Sequence, residues 1–189
     1  MSTSVQHAPL ASPDEYLAGE ATCERKHEFL NGVVYAMAGA TERHNELAGN
    51  IFAALHARLR GKQCRPFIAD MLLRVEQGDD RRFYYPDVSI VCRPAGPTER
   101  IQTKANVIFE VLSESTARID TGEKRMAYLS IPALEAYVLV DSECREVTVW
   151  RQRDGQWAPE VLTAPEATLE FTSAPCSLSV GEIYEGTGL

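Results

Sequence analysis

Two carboxylates stand inside apolar runs, where a charge is costly to bury unpaired. Asp87 follows Pro86 directly and precedes Val88-Ser89-Ile90-Val91, and Glu110 lies within Val107-Ile108-Phe109-Glu110-Val111-Leu112. Two readings satisfy the electrostatics. Each carboxylate can pair with a Lys or Arg at a sheet edge, or the two can share one hard cation, since Mg²⁺ takes a few carboxylate oxygens and keeps several waters. Spacing alone leaves both open. Further along, Lys124 falls on a stripe four residues apart with Asp120 and Tyr128. An ammonium beside a metal-bound water can orient that water or steady charge on a phosphate, while the cation lowers the water's pKa. Such a set suits phosphodiester cleavage. The plainer reading of Asp120 and Lys124 is a surface pair at i, i+4, contributing about 0.2–0.5 kcal/mol.

These residues need strands and helices to bring them together. Side chains alternate along a strand, so Ile108, Glu110 and Leu112 share one face and Val107, Phe109 and Val111 the other. Asn31-Gly32 between apolar stretches predicts a hairpin over 28–37, which puts Glu28 on its first strand. Ser12-Pro13-Asp14-Glu15 predicts a capped helix start and a short helix ending near Gly19. Leu47, Ile51, Ala54, Leu55 and Leu59 predict a helix over 43–59, stopped at Gly61. Strands are expected at 67–68, 71–75, 81–85, 87–91, 107–112, 136–140, 146–151 and 157–162. A second long helix is expected at 118–130, ended by Ile131-Pro132, and a last short one near 180–184. The order predicts a flexible tail over 1–11 and one α/β or α+β domain with a mixed sheet over 12–189.

Composition narrows the function classes. With 189 residues, 44% of them hydrophobic, the chain is long enough for a real core. Lys and Arg total 19 against 27 Asp and Glu, a formal charge of -8, which excludes a generally basic nucleic-acid-binding surface. No apolar run approaches the roughly 20 residues of a membrane span, and the opening residues lack a signal-peptide pattern. The five cysteines are far apart and odd in number, without a C-x-x-C pair, which argues against a disulfide framework and a structural zinc site. A cytoplasmic protein without membrane contact is expected.

Tyr85-Pro86-Asp87-Val88-Ser89-Ile90-Val91, then Val107 to Thr116, then Asp120, Lys124, Tyr128 and Tyr137-Val138-Leu139-Val140-Asp141 resemble the Uma-two family of restriction-endonuclease-like proteins. The resemblance runs over about residues 12–185. It implies the PD-(D/E)xK nuclease superfamily: a mixed central sheet flanked by helices, Mg²⁺- or Mn²⁺-dependent hydrolysis of phosphodiester bonds, and homodimers. Asp87 matches the aspartate of the first element and Glu110 the acidic residue of the second. Leu112 stands where the superfamily's lysine usually lies, which makes Lys124, moved to the next helix, the matching residue. Glu28 resembles the family's early glutamate. The implied metal set is Glu28, Asp87, Glu110 and the Val111 carbonyl, with Asp87, Glu110 and Lys124 catalytic. Glu114 departs from the usual proline, and Ala136 and Val138 from the usual acidic residue and tryptophan.

Several residues carry two readings. Glu28 can be an edge-strand charge near Arg25 or Lys26. His44 either approaches the site or decorates a helix start, and Tyr128 either bonds a site carboxylate or packs. Arg58, Arg60, Lys62 and Arg65 with His56, and Arg81-Arg82 before Tyr84-Tyr85, can grip phosphates or stack on bases, although a solvated surface is the commoner role. Ser113 or Ser115 with Lys124 lacks a nucleophile-elbow pattern. The leading expectation is a metal-dependent endonuclease acting on DNA, with RNA as the other polymer. The alternatives are a noncatalytic binding module that keeps the fold, and a hydrolase of small phosphorylated molecules.

Overall fold

Local signals set the first elements. In the computed structural model, which describes residues 11–37, 39–114 and 116–189, α1 spans Pro13–Glu20 and starts from a capping box between Ser12 and Glu15. Residues 1–10 of the expected tail lie outside the described residues. Strands β1 (His27–Leu30) and β2 (Val33–Ala36) form the Asn31-Gly32 hairpin, with φ of 50° and 85° at the turn. Those positive angles are what a two-residue turn of this kind requires. Helix α2 (Glu42–Leu59) is capped by Thr41, whose hydroxyl accepts from the His44 N–H. Leu47, Ile51, Leu55 and Leu59 are buried along one face, each contributing about 1.5–3 kcal/mol.

Then follow β3 (Cys64–Ile68), β4 (Leu72–Gln77), β5 (Asp80–Tyr84), β6 (Val88–Cys92), β7 (Ile101–Gln102) and β8 (Val107–Leu112). The expected second long helix is three pieces: α3 (Ala117–Ile119), a π-helical segment π1 (Asp120–Lys124) and α4 (Arg125–Leu129). Strands β9 (Ala136–Asp141), β10 (Val147–Arg153), β11 (Gln156–Leu162), β12 (Thr168–Phe171) and β13 (Cys176–Ser179) lead to α5 (Val180–Ile183). β7, β12 and β13 were not expected from the sequence.

The fold is mixed α+β. The central sheet runs β11-β10-β9-β8-β6-β3, with β8 and β9 parallel and the other pairs antiparallel. A second sheet runs β2-β1-β5-β4-β7, and β12 pairs with β13. On one face of the central sheet Val107, Phe109 and Val111 pack with α2, α5 and the β12–β13 pair. On the other, Ile108 packs with Ala127, Tyr128, Tyr137 and Leu139. The alternation of β8 is the one its sequence predicts.

One cysteine expectation is corrected: Cys64 and Cys92 form a disulfide. Antiparallel pairing of β3 with β6 makes them direct cross-strand partners, a register that their distant positions in the chain do not reveal.

Candidate active site

The β8–β9 crossover decides what stands over Glu110. Parallel neighbours need a connection that leaves the sheet and returns, and here it is α3, π1 and α4, lying across the face that carries Ile108 and Glu110. A π-turn bonds i to i+5 and is wider than an α-turn. Side chains anchor it from both sides. The Tyr137 hydroxyl donates to the Asp120 carbonyl over 3.0 Å, and Arg82 and Tyr84 donate to Glu123 Oε1 over 2.8 and 2.6 Å. Asp120 and Lys124 both turn inward and are buried.

Five elements and the β5–β6 connection meet there. Lys124 Nζ lies 3.0 Å from Glu28 Oε1, 3.3 Å from Glu110 Oε1 and 3.3 Å from Asp120 Oδ1. Glu28 Oε1 also accepts the Tyr85 N–H over 3.1 Å, and Tyr128 donates its hydroxyl hydrogen to Glu110 Oε1 over 2.9 Å. Asp87 and Glu110 exchange bonds through the backbone: the Asp87 N–H donates to Glu110 Oε2 over 3.2 Å, and the Val111 N–H donates to Asp87 Oδ2 over 2.8 Å. His44, in the first turn of α2, places Nε2 3.2 Å from Asp87 Oδ2.

Glu28, Asp87, Glu110 and Asp120 thus face one ammonium and one imidazole. Burial pushes the Glu28 and Asp120 carboxyls up and the Glu110 carboxyl well up, and Lys124 offsets only part of this. Burial works against the Lys124 charge too, but Glu110, Glu28 and Asp120 together hold its pKa well above the ordinary value. The hydrogen bond to Asp87 raises His44. Burial raises Tyr128, so its hydroxyl stays neutral and can donate.

The excess of carboxylate matches a divalent cation. Asp120 Oδ1 is buried with the Lys124 ammonium, 3.3 Å away, as its partner, and an all-oxygen acidic set suits Mg²⁺ or Mn²⁺. Among the described residues no three His, Cys, Asp or Glu side chains already stand as a ready cage. Three of these carboxylates converge on the Lys124 ammonium instead.

The sequence candidates Glu28, Asp87, Glu110 and Lys124 are therefore brought together, and Val111 joins through its backbone. His44 and Tyr128 belong to the same cluster. Asp120 was not among the expected site residues, although its stripe with Lys124 and Tyr128 carried the signal. The Arg81-Arg82 and Tyr84-Tyr85 cluster is not a stacking surface. Arg82 pairs with Asp80 and Glu123, and Tyr84 and Tyr85 are buried. Arg58 pairs with Glu182. Ser113 bonds Thr116, and Ser115 lies outside the described residues.

Residues 13–180 match the family described as "Uma2: Putative restriction endonuclease". Two uncharacterized proteins of Synechocystis sp. are similar along most of the chain. One, sll1609, is 33% identical over 162 residues, covering 84% of this chain and 90% of its own. The other, slr1290, is 31% identical over 189 residues, covering 96% and 98%. A solved structure from Anabaena variabilis, described as "a putative nuclease belonging to DUF820", superposes with a TM-score of 0.76 at 18% identity, covering 92% of this chain and 97% of that one. That likeness establishes a shared fold.

Proposed function

This chain belongs to the Uma2 family, and from that membership we propose that it hydrolyses phosphodiester bonds in DNA with Mg²⁺ or Mn²⁺ as cofactor. The observation that carries the reading is the convergence of Glu28, Glu110 and Asp120 on the Lys124 ammonium, with Asp87 tied to Glu110. Asp87, Glu110, the Val111 carbonyl and Glu28 would hold the ion, which when bound supplies a water of lowered pKa and neutralises phosphate charge.

The remaining work falls to protein groups. Lys124 stays charged among the carboxylates and would donate to the attacking water, fixing its direction. Tyr128, a neutral donor, holds the Glu110 carboxylate in one orientation. His44 and the Val111 N–H hold Asp87. Leu112 leaves no lysine two residues after Glu110, and Lys124 reaches Glu110 from the neighbouring element instead.

With a formal charge of -8, attraction to DNA is confined to the neighbourhood of the site, and binding is weak and salt-sensitive. The chain acts as a homodimer in the cytoplasm in this reading. Among the described residues no helix is long and apolar enough to cross a membrane. Supercoiled DNA, linear DNA and RNA incubated with Mg²⁺ or Mn²⁺ test the proposal. Cleavage should vanish in Asp87→Asn and Lys124→Ala, and cleavage unchanged in both would reject it. A protein that binds DNA yet cuts none of these substrates would instead be a noncatalytic module on the same fold.

A further inference from the structure

The Cys64–Cys92 disulfide lies at the opposite end of β6 from Asp87, about 16 Å away at the usual rise of a strand. It forms part of the wall of a cavity of about 620 Å³. Lys62, Arg93 and Lys104, from three separate loops, line the same cavity, and among the described residues no carboxylate does. In a chain of net charge -8 this is a local reversal of sign. Among the described residues none of the three forms an ion pair, and the Glu135 carboxylate, held against Ser173 at the cavity wall, pairs with Arg151 instead. The Lys62 ammonium donates to the Pro175 carbonyl and Arg93 Nε to Gln63 Oε1, both uncharged acceptors, and all three side chains are exposed. The two cysteines differ in exposure: Cys64 is 4% exposed, whereas Cys92 is only partly buried. The Ser173 carbonyl oxygen lies 3.3 Å from each sulfur and closes one side of the pair.

We infer that this cavity is a thiol–disulfide exchange site for a small thiol that carries carboxylates. Fixed positive charge raises the local concentration of an anionic thiol and favours its thiolate form, which is the attacking species. The thiolate attacks Cys92 Sγ, the sulfur of the less buried cysteine. A bond forms between the incoming sulfur and Cys92, the bond to Cys64 breaks, and Cys64 leaves with the electron pair and takes a proton from water. The proton shed by the incoming thiol goes to solvent. A second equivalent of thiol, attacking the incoming sulfur of the mixed disulfide, frees Cys92 and releases the small molecule as its own disulfide. The site is separate from the carboxylate cluster, so it stands or falls independently of the nuclease reading.

The test uses full-length protein purified without reductant and carrying Cys23→Ser and Cys144→Ser, which removes the exposed free thiols. Reduced glutathione, net anionic, and cysteamine, cationic, are followed by intact mass after acid trapping. The starting protein should be lighter than its reduced form by two thiol hydrogens, and glutathione should add at Cys92. In Lys62→Gln/Arg93→Gln/Lys104→Gln the glutathione rate should fall about tenfold, the lower end of steering effects, with the cysteamine rate no lower. Cys92→Ser should take no adduct. The inference is overturned by a protein that purifies as the free dithiol, by adducts at positions other than Cys92, or by a triple variant that slows both thiols equally or neither.

Discussion

Asp120 and Lys124 approach to 3.3 Å, carboxylate to ammonium, across a single π-helical turn. Both are buried, so this contact belongs to the interior of the site and not to a solvated helix surface. Without Lys124, Glu28, Glu110 and Asp120 would share one pocket with no cation among them.

Lys124→Ala should therefore be destabilised by about 3–5 kcal/mol at pH 8, the usual cost of removing one partner from a buried ion pair. The carboxyls left behind are raised further by the loss of the ammonium. Protonation relieves them as pH falls, so the deficit should shrink at pH 5. Urea unfolding at the two pH values measures this, and a deficit independent of pH would contradict it.

Glu110→Gln should remove activity and raise stability at neutral pH. The folded pKa of Glu110 lies well above the usual carboxylate value because of burial. Its ionised form therefore weakens the fold by an amount absent below the unfolded pKa and growing as pH rises through the folded one. The variant's gain in Tm over the parent should be near zero at pH 4 and larger at pH 8, followed by thermal melts across that range.

His44 titrates above about 6.5, its ordinary value, because it bonds Asp87. A raised histidine stabilises fully below the unfolded pKa, and its contribution disappears as pH rises through the folded one. Asp87→Asn should return the His44 midpoint toward the ordinary value in a proton NMR titration. His44→Ala should lose more stability at pH 6 than at pH 8.5.

Mn²⁺ should stabilise the parent by about 2.7 kcal/mol at a hundredfold excess over its Kd. Asp87→Asn and Glu110→Gln should lose most of the calorimetric signal. An equal heat of binding in parent and variants would place the ion elsewhere.

The proposed dimer has a candidate surface. β2 ends the second sheet, paired on one side only, and exposes Val33, Val34 and Tyr35. An unpaired apolar edge strand is a template for pairing with another chain. Val34→Lys should convert a dimer to monomer in light scattering, with cleavage per DNA molecule reduced.

Much of the architecture was legible locally. The Ser12 cap, the Asn31-Gly32 turn, the apolar stripe of α2 and the alternation of Glu110 with its neighbours each depend on residues a few places apart. β12 was missed despite its alternation, Thr168 and Glu170 outward, Leu169 and Phe171 inward, because four residues give too short a pattern to stand out. The break of the 118–130 helix into α3, π1 and α4 was invisible because the bonds that hold π1 come from Arg82, Tyr84 and Tyr137, on other strands.

Local residue patterns and the family resemblance singled out Asp87, Glu110, Glu28 and Lys124 as the residues able to do chemistry, and put Glu28 and Glu110 on their strands, since strand alternation and turn signals act over a few residues. The packing of distant elements set the rest: that the Asp120–Lys124 pair is buried, that Lys124 meets Glu28 and Glu110, that His44 bonds Asp87, and that Cys64 faces Cys92. Those contacts follow from the sheet order, the β3–β6 register and the β8–β9 crossover. Each of these is selected by the summed burial of many distant side chains, and no local run of residues encodes it.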